Sequence, residues 1–212
     1  MFPLFIDLRG RLAVVVGGGP VGRRKCAALL AADARVRLVC LEPRPGDQTS
    51  PALAWLQEPF RPAHLENACL AFAAGPTDIN RQVAAAARER GLWVNCADDP
   101  EASDFFVPAT VRRGSLVIAV GTQGAAPALA RQVRQQLERQ FDAAFSDWTA
   151  LLAELRPLAQ SRIADPAHRR AFLSTLAQRR WLRRLRREGR DAVRQAMLAE
   201  LRSLERKSDD PV

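Results

Sequence analysis

The sequence predicts an α/β fold: a parallel sheet flanked by helices, then a β-hairpin, then an all-helical end. Three observations predict it. Short β-branched or apolar runs alternate with Ala- and Leu-rich helical segments as far as Cys96, the order that builds a parallel sheet with crossover helices. Two apolar runs then flank Gly114-Ser115, which reads as a hairpin. From Pro127 onward the spacing of apolar residues is helical.

The elements follow in order. Arg11–Val16 (RLAVVV) is a buried strand ending in glycines, and Pro20–Ala32 is a helix. Arg35–Leu41 (RVRLVCL) is a second strand. The stretch from Pro43 to Pro62 carries five prolines with Gly46 and Ser50, so it reads as a loop with one short helix around Ala52–Leu56. Cys69–Ala74 is a third strand, Asp78–Arg90 a helix closed by Gly91, and Leu92–Cys96 a fourth strand. The hairpin pairs Ala109–Arg113 with Leu116–Val120, and Gly121-Thr122-Gln123-Gly124 leads into a long helix from Pro127. Helices are then expected over roughly 142–159, 165–180 and 189–206, with Asp165-Pro166 as an N-cap and first helical proline. The terminal KSDDPV is expected to fray.

Composition narrows the class. With 212 residues and 48% of them apolar, the chain can bury a substantial core. No apolar run approaches the roughly 18 residues of a membrane span, so no membrane partner is expected. The start, MFPLFIDLRGR, lacks the pattern of a secretory signal. Cys26, Cys40, Cys69 and Cys96 show no CxxC spacing, so reduced thiols in a cytoplasmic protein are expected. The net charge of +9 is uneven: residues 156–212 hold 15 basic and 7 acidic side chains. That basic end suits a polyanion or a solvated arginine surface. Single-stranded nucleic acid is disfavoured, because only Phe172 and Trp181 stand among the arginines.

Gly17-Gly18-Gly19-Pro20-Val21-Gly22 fits G-x-G-x-x-G between a strand and a helix, the Rossmann-type dinucleotide fingerprint. Its glycines allow the tight turn, the approach of backbone N–H groups to a pyrophosphate, and close helix–strand packing. Glu42 ends the second strand 20 residues after Gly22. An acid there accepts from a ribose hydroxyl and repels a 2′-phosphate, which favours NAD over NADP.

Asn95–Phe106 (NCADDPEASDFF) crowds Asp98, Asp99, Glu101 and Asp104 beside Cys96 at the carboxyl end of the fourth strand. Asp99-Pro100-x has the grammar of a helix N-cap, so Asp99 and Glu101 read as structural and Asp104 as a cap or turn residue. Asp98 has no such local use. A metal cluster is the competing reading, but His64 and His168 are both remote in sequence, and no metal site is expected.

With GGGPVGRRK, the preceding MFPLFIDLRGR, NCADDP and the run FFVPATVRRGSLVIAVGTQGAAPALARQVRQQLE, the chain resembles the precorrin-2 dehydrogenases, the sirohydrochlorin-forming modules of siroheme synthases. The resemblance covers residues 1 to about 205 and is most specific over 95–138. It implies a Rossmann NAD-binding domain over 1–110, a dimerisation segment over 111–145 and a helical substrate-side domain over 146–212. It also implies a homodimer that passes hydride from precorrin-2 to NAD⁺, giving sirohydrochlorin, with Fe²⁺ insertion to siroheme in many members. Carried over residue by residue, the shared general base matches Asp98. The cofactor contacts match Gly17, Gly18, Gly19, Pro20, Val21, Gly22, Leu41, Glu42 and Asn95. Thr122 stands where relatives often have Ser, and with Gly124 it is the candidate substrate contact. Relatives' A-T-D after the third strand is interrupted here as Ala74-Gly75-Pro76-Thr77-Asp78, which breaks the carry-over at Thr77 and Asp78. The arginine runs at 169–170, 179–180, 183–184 and 186–187 are candidates for the substrate's carboxylates.

Overall fold

A computed structural model describes residues 1–46 and 50–208. The chain divides into two compact units, Met1–Val107 and Pro108–Val212.

The first unit holds a parallel five-stranded sheet, the larger of two sheets among the described residues, in the order β3-β2-β1-β4-β5. Its strands are β1 (Leu12–Val16), β2 (Arg35–Cys40), β3 (Leu53–Gln57), β4 (Ala68–Ala73) and β5 (Trp93–Cys96). The order turns back at β1, which pairs β2 on one side and β4 on the other. That reversal is the switch point at which open α/β sheets bind ligands, outside the carboxyl ends of the strands. Helix α1 (Pro20–Leu30) joins β1 to β2, and α2 (Thr77–Glu89) joins β4 to β5. Alternate strand residues feed two cores: Ala13, Val15, Leu38 and Phe72 pack with Cys26 and Leu29 of α1. On the other side Val14, Val16, Val39 and Ala71 pack with Val83, Ala84 and Ala87 of α2.

The helix expected around Ala52–Leu56 is instead β3, an edge strand in register with β2 from Val36↔Leu53 to Cys40↔Gln57. Ala and Leu favour a helix locally, but the open edge of β2 offers a full backbone ladder and burial of Leu53. β3 also fastens the end of β2: Trp55 Nε1 donates to the Glu42 carbonyl at 3.1 Å and Gln57 Nε2 to the Leu41 carbonyl at 3.3 Å.

In the second unit β6 (Ala109–Arg113) and β7 (Leu116–Val120) form the expected antiparallel pair. Helix α3 (Pro127–Gln140) ends against Arg113, whose guanidinium donates to the carbonyls of Phe141 and Glu138 at 2.7 and 3.2 Å. Four helices follow: α4 (Ala144–Arg162), α5 (Pro166–Leu176), α6 (Arg179–Glu188) and α7 (Arg190–Ser208). Asp165 caps α5, its side chain accepting from His168 N at 2.7 Å. The helix expected to run to residue 180 stops at Leu176 because two buried indoles take its last carbonyls. Trp148 Nε1 donates to Leu176 O at 3.1 Å and Trp181 Nε1 to Thr175 O at 3.0 Å. Gly189, at φ 81°, separates α6 from α7, a break the sequence reading placed only as the start of the last helix. Leu151, Leu155, Leu176, Met197 and Leu201 form the centre of this unit's core. Of the tail expected to fray, Lys207 and Ser208 are in α7, while residues 209–212 lie outside the described residues.

Candidate functional site

The glycine turn is shaped by what surrounds it. Gly17, at φ +113°, donates its N–H to the Val39 carbonyl at 2.9 Å. A Cβ at Gly17 would sit 2.4 Å from Ala74 O, and one at Gly22 would sit 1.8 Å from Gly17 O. These two glycines are therefore demanded by the packing of β1, α1 and the end of β4. Gly18 lies against Cys40 Sγ and a Glu42 carboxylate oxygen, each 2.8 Å from where its Cβ would be. Gly19 differs: a Cβ there would meet nothing within 4 Å. It opens α1 in extended conformation without a side-chain cap, and Pro20 occupies the first turn. The leading N–H groups of α1 thus face an open space bounded by glycine backbone, which suits a pyrophosphate. The residues present fit a dinucleotide.

Val21 is half-buried behind this turn, and Leu41 is 67% exposed beyond the end of β2. Glu42 follows it, its carbonyl held by Trp55 and its carboxylate beside Gly18.

The acids of 98–104 separate into distinct jobs. Asp98 accepts from Thr77 Oγ1 and from Asn80 Nδ2, both at 2.7 Å. The Thr77 hydroxyl above all, aided by the Asn80 amide, holds its carboxyl below the usual range against the opposing effect of burial. Asp99 does cap, accepting from the N–H groups of Glu101 and Ala102 at 3.0 Å each. No helix follows it, however; the segment makes one turn and the chain goes on extended. The reason is that Ser103 and Asp104 are claimed by β5: the Cys96 N–H donates to Ser103 Oγ at 2.9 Å, and Val94 N–H to Asp104 Oδ2 at 2.8 Å. Glu101 is exposed. Among the described residues no three His, Cys, Asp or Glu side chains are grouped to hold a metal ion. His64 is used locally, its Nδ1 accepting from Arg61 N and its Nε2 3.0 Å from Glu58. All four cysteines are free thiols, and burial raises the pKa of each, that of Cys26 to about 12.

Two residues of this region were not anticipated. Asn80 is 2% exposed and makes three hydrogen bonds. Its Oδ1 accepts from Gly75 N at 2.9 Å, and its Nδ2 donates to Gly75 O at 2.9 Å and to Asp98. A signal existed, since Asn80 lies on the same helical stripe as Val83, Ala84 and Ala87. Lys25 on α1 reaches Asn95 Oδ1 at 3.2 Å and lies 5.5 Å over the Phe72 ring. Asn95 in turn donates to the Phe105 carbonyl at 2.9 Å. Both ends of the Asn95 amide are thus engaged inside the unit, so its place is in a strap tying α1, β5 and the acidic segment together.

A continuous set of contacts joins the glycine turn to Asp98: Gly17 rests on Ala74 and Gly75, Gly75 is bracketed by Asn80, and Asn80 holds Asp98. Thr122 and Gly124 belong to the second unit, in the turn between β7 and α3. Thr122 Oγ1 accepts from Ala126 N at 3.2 Å, and Gln123 and Gly124 are left-handed at φ 54° and 81°.

Residues 4–109 match the family model described as "putative NAD(P)-binding", and residues 113–140 match that of a sirohaem biosynthesis protein central segment. The siroheme synthase of Nitrosospira multiformis is 34% identical over 99% of this chain and 46% of its own length. That of Chromobacterium violaceum is 37% identical over 84% of this chain and 38% of its own. The chain therefore spans less than half the length of these relatives. The solved structure of SirC, a precorrin-2 dehydrogenase, matches 96% of this chain and all of its own with a TM-score of 0.79 at 20% identity. That likeness shows the fold.

Proposed function

The chain belongs to the family of putative NAD(P)-binding proteins, and from its similarity to siroheme synthases we propose that it oxidises precorrin-2 to sirohydrochlorin with NAD⁺ as hydride acceptor. One observation carries the reading: the glycine turn after β1 and the Asp98 carboxylate after β5 are linked through Gly75 and Asn80, across the carboxyl end of β4 that lies between them, which supports a pyrophosphate cradle and a proton acceptor in one site.

The bound dinucleotide supplies the position that receives the hydride. The backbone of Gly17–Gly19 and the first N–H groups of α1 hold its pyrophosphate, and Glu42 accepts from the adenosine ribose hydroxyls, favouring NAD over NADP. Two hydrogens leave the macrocycle, one as hydride and one as a proton, and a carboxylate oxygen of Asp98 receives the proton. Thr77 and Asn80 fix that carboxylate in place and keep it ionised. The low pKa makes Asp98 a weak base, so its contribution rests on position more than on basicity.

Fe²⁺ is the proposed second substrate: as the metal enters, the two pyrrole protons would leave one after the other, each passing through the same carboxylate to water. The segment 111–145 is the proposed homodimer surface. A two-stranded sheet is marginal alone, and Ala130 is the one buried residue of α3, so both invite cover from a second copy. Thr122 and Gly124 are the proposed substrate contacts from this segment. Free thiols, three of the four buried, suit a cytoplasmic setting, and no helix among the described residues is long and apolar enough to cross a membrane.

The test is direct. The pure protein incubated with precorrin-2 and NAD⁺ should produce NADH and sirohydrochlorin together; a flat NADH absorbance would overturn the assignment. Adding Fe²⁺ to sirohydrochlorin then separates a bifunctional enzyme, with siroheme forming above the uncatalysed rate, from a dehydrogenase alone.

A further inference from the structure

In the second unit α6 carries Arg180, Arg183, Arg184 and Arg187 at positions i, i+3, i+4 and i+7, which brings four guanidiniums to one helix face. They line a cavity of about 290 Å³ together with Trp181 and Glu200 of α7. Like charges at these spacings repel, so a helix that needed only solubility would alternate its signs here.

The cavity is organised from beneath. The Trp181 indole is buried at 3% exposure, and Arg180 and Arg184 lie over its ring at 5.1 and 5.8 Å from the centroid. Arg180 also donates to Glu200 at 3.1 Å, and Glu188 takes Arg184 and Arg187. Two carboxylates thus answer four guanidiniums. Arg183 has no carboxylate partner among the described residues. The result is a small concave site with a residual positive charge of about two, in which ring stacking and ion pairs hold the planar forks of Arg180, Arg184 and Arg187 in orientation. Such forks bind carboxylate and phosphate oxygens two at a time.

We propose that this cleft is a binding site for a compact polyanion bearing at least two carboxylate or phosphate groups. One source of that chemistry is the carboxylate periphery of the tetrapyrrole, an arm that rests on the proposed function; the other is a free phosphate compound, which does not.

The experiment uses the full chain and follows the Trp181 indole N–H resonance, assigned with Trp181→Phe, during titration at constant ionic strength. The probes are citrate, pyrophosphate and, as a monoanion control, acetate. Saturable one-to-one binding of citrate or pyrophosphate, at least tenfold tighter than acetate, is expected. Citrate alone assigns carboxylate chemistry and pyrophosphate alone assigns phosphate. The double variant Arg183→Gln/Arg187→Gln removes the two arginines that do not touch the indole, so the unit should keep its helical circular dichroism while binding weakens at least tenfold. Non-saturating shifts, equal response to acetate, or unchanged binding in the double variant would each overturn the site. So would a short DNA duplex that outcompetes both small probes with a steep salt dependence. No arm measures NADH, so a failed dehydrogenase assay leaves the result standing.

Discussion

Asn80 Nδ2 donates to Asp98 Oδ1 at 2.7 Å, and the same Asn80 side chain clasps both the N–H and the carbonyl of Gly75. One buried amide thereby sets the loop that backs the glycine turn and the carboxylate proposed to take the proton. Asp98→Asn keeps the shape and removes the acceptor. It should lower kcat of dehydrogenation by roughly 10²- to 10⁴-fold, the usual range for a lost general base, with NAD⁺ affinity by calorimetry unchanged. Asn80→Ala should instead lose about 1–3 kcal/mol of stability, because Gly75 N is left without a partner. A kcat for Asp98→Asn within a factor of two of the parent would remove Asp98 from the chemistry.

The Thr77 hydroxyl is the main reason the Asp98 carboxyl ionises more readily than usual. Its folded pKa lies below the unfolded value of about 3.9. By linkage, the stability from this contact is complete above that value and drains away as pH falls through the folded pKa. Thr77→Val removes the donor at constant shape. The Asp98 carboxyl should then titrate at higher pH by carbon-13 NMR, and the acid limb of kcat/KM should move up with it. A limb that stayed put while the NMR titration moved would mean that another group controls the rate.

The glycines separate by what they face. Gly19→Ala adds a methyl to open space at φ −66°, so the fold should keep its melting temperature while the dinucleotide Kd rises. Gly22→Ala drives a methyl into Gly17 O, 1.8 Å away, and should lose about 1–3 kcal/mol or more as an overpacked contact. If thermal melts showed Gly19→Ala as the destabilised variant, the open space would not be the phosphate site.

The strands and crossover helices of the first unit were legible because each is a buried run with clear glycine or proline punctuation, as in Val14–Gly17 and Gly91–Cys96. β3 was not, because its ladder comes from β2, distant in sequence, while its own Ala and Leu residues favour a helix. Asp99 shows the same limit on a smaller scale: its capping role could be read locally, but the helix it seemed to start is prevented by Ser103 and Asp104 pairing with β5. Asp98 was singled out by having no local role, and its two donors come from α2 across a break in the family pattern at Gly75-Pro76. Side-chain bridges between remote segments, such as Lys25 to Asn95, leave no periodic trace.

That Lys25 bridge is testable on its own. Asn95 is 7% exposed, so Lys25→Met strips a donor from a buried oxygen and should lose about 1–3 kcal/mol in denaturant unfolding. Asn95→Ala should lose a similar amount, and the double variant should lose less than the sum, since the two share one contact. Strict additivity would show that Lys25 acts through the Phe72 ring instead.

Glu42 is the residue proposed to discriminate between cofactors, through charge. Its carboxylate lies beside Gly18 at the end of β2, where the ribose of a bound dinucleotide would place its hydroxyls. A 2′-phosphate there meets like charge, and the Glu42 backbone is pinned by Trp55, so the segment cannot easily swing away. Glu42→Gln keeps the size and one hydrogen-bonding oxygen while removing the repulsion. The ratio of kcat/KM for NAD⁺ over NADP⁺ should fall by roughly tenfold or more, since a factor of ten needs only about 1.4 kcal/mol. Trp55→Phe, which frees the Glu42 carbonyl without changing charge, should weaken binding of both cofactors alike and leave the ratio unchanged. Were the ratio to shift equally in both variants, selectivity would come from the rigidity of the strand end and not from the carboxylate.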